Sequence, residues 1–433
     1  MNRDETHMMR KHWMSTLALV AGLTAGGVVQ AQTTVRIAWY SDGVEGEVVS
    51  DLLKRFEAQN KDIKVVLDQV PYKAITENLP VQLASGQGPD IARVVDLGGI
   101  ARYALDLRPY LKDAAYWEKN FGPFLPWMRP AGDDKAITGF MTQLTVTGPL
   151  VNKTLFEQAG IAMPGAKASW DDWAKAAKAV ATKVQAPFPV AMDRSGHRFF
   201  GLAVSEGAKV FDAKGEPAVI DDGFKRAAQR VFDWHKDGVM ARELWGSVSG
   251  AAYRGANDEF KNAQVVMYVS GSWQIAQFDK TVGNAFDWVA APSPCGAAAC
   301  TGMPGGAGLV AIKATKSPEA VAKVMEYLAS EPVLSEFYAR SLFVPGHLGI
   351  AAKGVDYKDA SPQAKAALKV FSDQVANLSP VAYALQGYVN NRIIFNAAIS
   401  RVGQAISGET TLDEAYKRIA SDIEQQIAER NKK

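Results

Sequence analysis

Apolar and polar positions along this chain change period repeatedly, and each change marks an element. TVRIAWY (34–40) alternates as a strand does; Val48, Val49, Leu52, Leu53 and Phe56 then recur at helical spacing. IKVVLDQV (63–70) reads as a second strand, a helix runs through Leu83, and a short strand follows Pro89-Asp90. A second such series begins near Thr145. It includes a helix over 222–236 carrying Phe224, Val231 and Phe232, then the strand QVVMYV (264–269). GLVAIKATKSPEAVAKVMEYLAS (308–330) returns from strand to helix, with Ser317 and Pro318 as N-cap and first helical residue. The tail from Ser361 is helical. Its last helix opens on a Thr411–Glu414 capping box and lines up Ala415, Ile419, Ile423 and Ile427. Strands alternating with helices predict an α/β protein with a mostly parallel, doubly wound sheet. Ligands of such sheets sit beyond the carboxyl ends of the strands, here the loops after Tyr40, Val70 and Val95.

The 433 residues suffice for two or three domains, and the first 31 read as a secretory signal. Arg10 and Lys11 precede the apolar and small-residue stretch Trp13 to Val29, and Val29-Gln30-Ala31 fits the cleavage rule, giving a mature start near Gln32. The apolar core is shorter than the roughly 20 residues a membrane span needs. With no Cys at the cleavage site, a lipid anchor is not expected, and the reading is a soluble periplasmic protein. Charge is balanced, 48 basic against 46 acidic residues without a basic stripe, so nucleic acid is not an expected partner. Cys295 and Cys300, in a Gly/Ala/Pro-rich loop of an exported chain, are expected to form a local structural disulfide.

Motifs for catalysis and cofactors are missing. The five His residues have no ligand spacing, MPGGAG (303–308) lacks a P-loop continuation, and no GxSxG elbow occurs, so neither metal nor cofactor is expected. A periplasmic glycosidase would need two carboxylates roughly 5–10 Å apart, for which Asp42, Glu45, Asp90 and Asp96 are available. The same carboxylates can accept hydrogen bonds from sugar hydroxyls without catalysis.

The segment LVNKTLFEQAGIAMPGAKASWDDWAKAAK (150–178) shows Asn152 capping one helix, Gly160 closing it, and Ser169 with Asp172 capping the next. Its wording resembles the equivalent stretch of the family 1 extracellular solute-binding proteins, which serve ABC importers for maltose, other sugars and glycerol-3-phosphate. That resemblance implies a two-lobe periplasmic binding protein (type II-like), with the ligand cleft between doubly wound lobes joined by crossover hinge segments. Lobe one would hold 32–144 and 303–341, and lobe two 145–302 and 342–433. The expected partners are a carbohydrate-like ligand and an inner-membrane ABC permease, the protein itself being a monomer.

The resemblance also implies site residues. Trp39 and Trp273 look like cleft tryptophans able to stack on pyranose rings, whereas Trp170, Trp173, Trp234 and Trp288 read as core. WYSDGVEGE (39–47) is similar to the start of the glycerol-3-phosphate-binding branch and brings in Tyr40, Asp42 and Glu45. By position Tyr72, Asp96, Thr145, Ser272, Gly306 and Arg392 fall in register with that branch, Arg392 as phosphate partner. Asp90, Gln143, His197 and Gly305 complete the expected set, with Phe343 standing where that branch has Tyr. SGHRFF (195–200) replaces two tryptophans, and such departures favour a neutral sugar or oligosaccharide over a polyol phosphate.

Overall fold

β1 (Thr33–Trp39) keeps the alternation of its sequence: Val35, Ile37 and Trp39 are buried on one face while Thr34 and Arg36 meet solvent. The computed structural model describes residues 32–432, so the expected signal segment lies outside the described residues. β1 pairs in parallel with β2 (Ile63–Gln69) and with β3 (Ile91–Val94). β4 (Gly139–Asn152) is the spine of the sheet. Its first part, through Val146, pairs antiparallel with β8 (Pro304–Ala311), and from Thr147 onward it pairs antiparallel with β6 (Val265–Gly271). β5 (Phe188–Met192) lies parallel to β6, and β7 (Trp288–Ala290) pairs with the end of β4. The strand order is β2-β1-β3-β8-β4-β6-β5. The sheet therefore has a first half, built on β1–β3 and β8, and a second half, built on β5–β7, which share β4. It is mixed rather than mostly parallel, because β4 and β8 run against their neighbours where the chain crosses between halves.

Local signals held where they were strongest. Ser169 and Asp172 form both bonds of a capping box on the helix Trp170–Val184, and Gly160 ends Lys153–Ala159 in the left-handed region with φ 62°. Trp170, Trp173, Trp234 and Trp288 are core residues. Others were incomplete. Thr411 caps the helix Leu412–Asn431, but the Glu414 carboxylate turns away to Arg418, and Ser317 makes no side-chain cap. The helix Asn391–Ser407 buries Ile394, Phe395, Ala398 and Val402, and Val389, which precedes it, is 44% exposed. Among the described residues no helix is long and apolar enough to cross a membrane.

Cys295 and Cys300 are disulfide-bonded. The small hairpin they close is tied to two neighbouring segments. The Cys295 amide donates to the Ala168 carbonyl at 2.9 Å, and the Ala298 amide to the Ser205 carbonyl at 2.9 Å. Closing so short a loop constrains the unfolded chain only modestly, so reduction is expected to cost about 2 kcal/mol or less. Urea unfolding with and without reductant checks this; a loss several times larger would mean the bond holds more than its own loop.

Candidate ligand-binding cleft

The floor of the first half is built around a charge inside a strand. Arg93 sits in β3, fully buried. Its Nη1 donates to the Tyr40 carbonyl at 2.5 Å and to Glu45 Oε1 at 3.2 Å, and its Nη2 to Gln143 Oε1 at 2.6 Å. The guanidinium also lies 4.1 Å from the centre of the Tyr40 ring. Burial opposes its charge, but Tyr40, Glu45 and Asp42 outweigh that and hold it above its ordinary pKa. Glu45 opens the helix Glu45–Gln59, and its carboxylate accepts from the Asp42 amide at 2.5 Å and the Gly43 amide at 2.9 Å. The 41–44 loop is thereby folded over a buried ion pair. This places the Asp42 carboxyl 3.7 Å from Arg93 with 29% of its side chain exposed. Burial pushes Asp42 up to about 6, against the pull of Arg93 and Arg198 and with added repulsion from Glu45.

Tyr72 stands edge-on to Tyr40 at 5.2 Å and is 37% exposed. Asp96 caps the short helix Leu97–Ile100 through the Gly99 amide at 3.1 Å. Burial raises its pKa despite the opposing charge of Arg392.

The facing wall comes from the second half. Asp193, just past β5, is fully buried and accepts from Arg198 Nε at 2.9 Å, Arg198 Nη2 at 2.8 Å, Ser270 Oγ at 2.8 Å and the Tyr268 hydroxyl. So held, the Arg198 guanidinium lies 4.3 Å from the Trp273 ring centre, with Tyr253 at 5.9 Å. His197 Nε2 is 2.7 Å from Gln386 Oε1 and its ring packs on Phe395 at 4.6 Å. Burial, helped by Arg198, pushes His197 down to about 3, so the ring is neutral and donates to Gln386. For Arg392, near the start of Asn391–Ser407, burial opposes the charge, but the influence of Tyr72 and Asp96 outweighs it and raises its pKa. Glycine is required where the halves cross. A Cβ on Gly305 would stand 2.9 Å from Thr145 Oγ1 and 3.8 Å from His197 Nε2, and Gly306 has φ 136° with a Cβ position 2.2 Å from the Gln143 carbonyl.

The structure thus brings Tyr40, Asp42, Tyr72, Asp96, Thr145, His197, Trp273, Gly305, Gly306 and Arg392 to one region between the halves. Glu45 and Gln143 lie beneath it as partners of Arg93. Four expected residues are placed otherwise. Trp39 points into the core, 1% exposed, edge-on to Phe337 at 6.0 Å and with Arg93 5.0 Å from its ring centre, which leaves no face for a sugar. Asp90 lies at the amino end of β3, the end away from the cleft, and is bound to the Arg36 amide and Thr315 Oγ1. Ser272 is buried and accepts from the Val146 amide at 3.3 Å, and Phe343 packs on Phe337 at 5.9 Å. Sequence reasoning missed Arg93, Asp193, Arg198, Tyr253 and Gln386. A charge inside the apolar run IARV was the available signal for Arg93, and the Arg beside His197 in SGHRFF for Arg198.

A cluster of charged, aromatic and glycine positions between two halves that share crossing strands points to a class. Residues 40–333 match the model of the bacterial extracellular solute-binding protein family, well over half of the chain, and the chain belongs to that family. A Brucella abortus (strain 2308) protein named as a binding protein is 24% identical over 357 residues, covering 77% of this chain and 79% of its own. Among solved structures, a Thermotoga lettingae solute-binding protein bound to α-D-tagatose has a TM-score of 0.75 at 18% identity, covering 91% of this chain and 99% of its own. A Listeria monocytogenes ABC substrate-binding protein in complex with cycloalternan has a TM-score of 0.74 at 18% identity, covering 92% and 99%. A maltose-bound T. maritima protein has a TM-score of 0.74 at 19% identity, covering 91% and 100%. The fold is therefore the two-lobe α/β fold of these binding proteins.

Proposed function

We propose that this protein captures a neutral carbohydrate between its lobes and hands it to an inner-membrane ABC permease, without covalent chemistry. The lobes would comprise 32–144 with 303–341 and 145–302 with 342–433. The chain would work as a periplasmic monomer after loss of its signal segment. Ligand contacts made on both walls at once would supply the closing energy.

One observation carries the choice of ligand. The guanidinium groups of this region are matched by carboxyl groups: Arg198 is bound to Asp193 at 2.8 Å, its charge works against the rise of the Asp42 pKa, and the charge of Arg392 does the same at Asp96. A group entering between such partners must accept from the arginine and donate to the carboxylate. A hydroxyl does both; a phosphate only accepts, and meets the repulsion of Asp42 and Asp96. The tagatose, cycloalternan and maltose bound by the structural relatives support the same class. A polyol phosphate is the second reading, favoured only by the position of Arg392. A thermal-shift screen of mono- and oligosaccharides beside glycerol-3-phosphate tests the choice. Stabilisation by one or more neutral sugars is expected; stabilisation by the phosphate alone would overturn it.

A further inference from the structure

Arg194, just past β5, is a buried guanidinium with no part in the cleft described above. No carboxylate pairs with it among the described residues, and burial alone acts on its charge, holding its pKa below the ordinary value. Its hydrogen bonds go to backbone carbonyls instead. Nη1 donates to Ala252 at 2.7 Å, and Nη2 to Gly250 at 2.5 Å and to Ile399 at 3.4 Å. The Arg194 amide donates to the Arg254 carbonyl at 2.8 Å, and the Ala256 amide to the Tyr268 hydroxyl oxygen at 3.0 Å. The loop 247–256, between the helices Arg242–Gly246 and Asn257–Lys261, is thus pinned at every second residue from Gly250 to Ala256. Gly403 makes room for the clamp, since a Cβ there would stand 2.9 Å from Arg194 Nη2. Burying a guanidinium without a countercharge is costly, and an ordinary surface loop needs no such hold.

The pinned loop carries Tyr253, which is 45% exposed. Its hydroxyl is turned towards buried groups: a Cβ on Gly255 would stand 2.8 Å from it, 3.1 Å from the Tyr268 hydroxyl and 3.2 Å from Asp193 Oδ1. Its ring centre lies 5.9 Å from the Arg198 guanidinium, whose other aromatic neighbour is Trp273 at 4.3 Å. A lone exposed aromatic is ordinary on a protein surface; one held by a buried cation at the edge of a binding wall is not. Every contact named here lies on one side of the cleft, so the arrangement holds at any separation of the lobes. We propose that Tyr253 is an outer platform for a second sugar ring, fixed by Arg194, and that the ligand is an oligosaccharide rather than a monosaccharide. One ring takes the inner position at Arg198 and Trp273, and the next lays its apolar face on Tyr253. Arg194 is a positioning residue, reaching the sugar only through Tyr253. The inference rests on the carbohydrate-capture reading and narrows its ligand class.

The test is calorimetric titration with neutral mono-, di- and trisaccharides of one series. Glucose, maltose and maltotriose come first, followed by the series of whichever sugar gives the largest thermal shift. In the natural chain affinity is expected to rise several-fold from one ring to two. Tyr253→Ala should remove most of that rise, and Tyr253→Phe should keep most of it, because a ring face is used. Arg194→Met should also remove it, and should add nothing further in the Tyr253→Ala background, as expected of residues that act as a unit. Equal affinity for one ring and two would overturn the platform, as would a rise that survives Tyr253→Ala. Additive losses in the double variant would overturn the positioning role of Arg194. Should Arg194→Met fail to fold, Arg194→Lys is measured by titration and by hydrogen exchange of the 250–254 amides. Faster exchange with a smaller rise supports the clamp, and any other result contradicts it. Monosaccharides bound as tightly as longer sugars reject the platform alone, whereas a screen in which no neutral sugar binds rejects the capture reading itself.

Discussion

Replacing Arg93 with Ala is expected to destabilise the protein by roughly 3–5 kcal/mol, the usual cost of breaking a buried ion pair from one side. The substitution would leave the Glu45 carboxylate 1% exposed with no countercharge, strip Gln143 of its donor, and uncover the faces of Tyr40 and Trp39. Arg93→Met in combination with Glu45→Gln should recover much of the loss, because it removes the charge on both sides while keeping volume. Urea denaturation of the three chains measures this. A loss below about 1 kcal/mol for Arg93→Ala, the range of an exposed pair, would show that Arg93 does not organise the first lobe.

Asp42→Asn should have the opposite effect on stability. The folded state holds Asp42 at about 6 against an ordinary 3.8, so it binds the proton more tightly than the unfolded chain does. Stability from this group is therefore present at low pH and is lost as pH rises through 6. Two pKa units correspond to about 3 kcal/mol, which sets the upper figure for the gain of the variant above neutrality. The advantage should vanish once the pH falls below the ordinary Asp value, where both carboxyls are protonated. Sugar affinity should move the other way, weakening by roughly 1.5–3 kcal/mol if a hydroxyl donates to the carboxylate. Melting curves across pH, with and without sugar, check both signs. A variant less stable than the natural chain above pH 7 would contradict the placement of Asp42 against Glu45 and Arg93.

Much of the fold was legible because its signals are local. Ser169 with Asp172, Gly160, and the helical stripe through Leu52 and Phe56 report on neighbours within a few residues, and each stands where the pattern put it. The site is different. Arg93 finds its partners 48 and 50 residues away, and no periodicity within IARV reveals that its charge is paired. Two misplaced residues were legible after all. Trp39 shares the parity of Val35 and Ile37, which assigns it to the core face of β1 whatever loop follows. Asp90 stands just before its strand, whereas the rule for ligand placement favours the carboxyl end, beyond which Asp96 stands. Arg198 could be read from SGHRFF as a charge, but its hold by Asp193, which Ser270 and Tyr268 fix in turn, depends on β5 and β6 lying side by side.

Calorimetric titration at low and high salt, with the sugar giving the largest thermal shift and with glycerol-3-phosphate, tests the central claim most directly. If a neutral carbohydrate bridges Arg392 and Asp96, its affinity should barely respond to salt, and Arg392→Ala should weaken it by roughly 1 kcal/mol, as for one hydrogen bond. Tight binding of glycerol-3-phosphate that weakens with salt and disappears in Arg392→Ala, with no neutral sugar bound, would contradict the account.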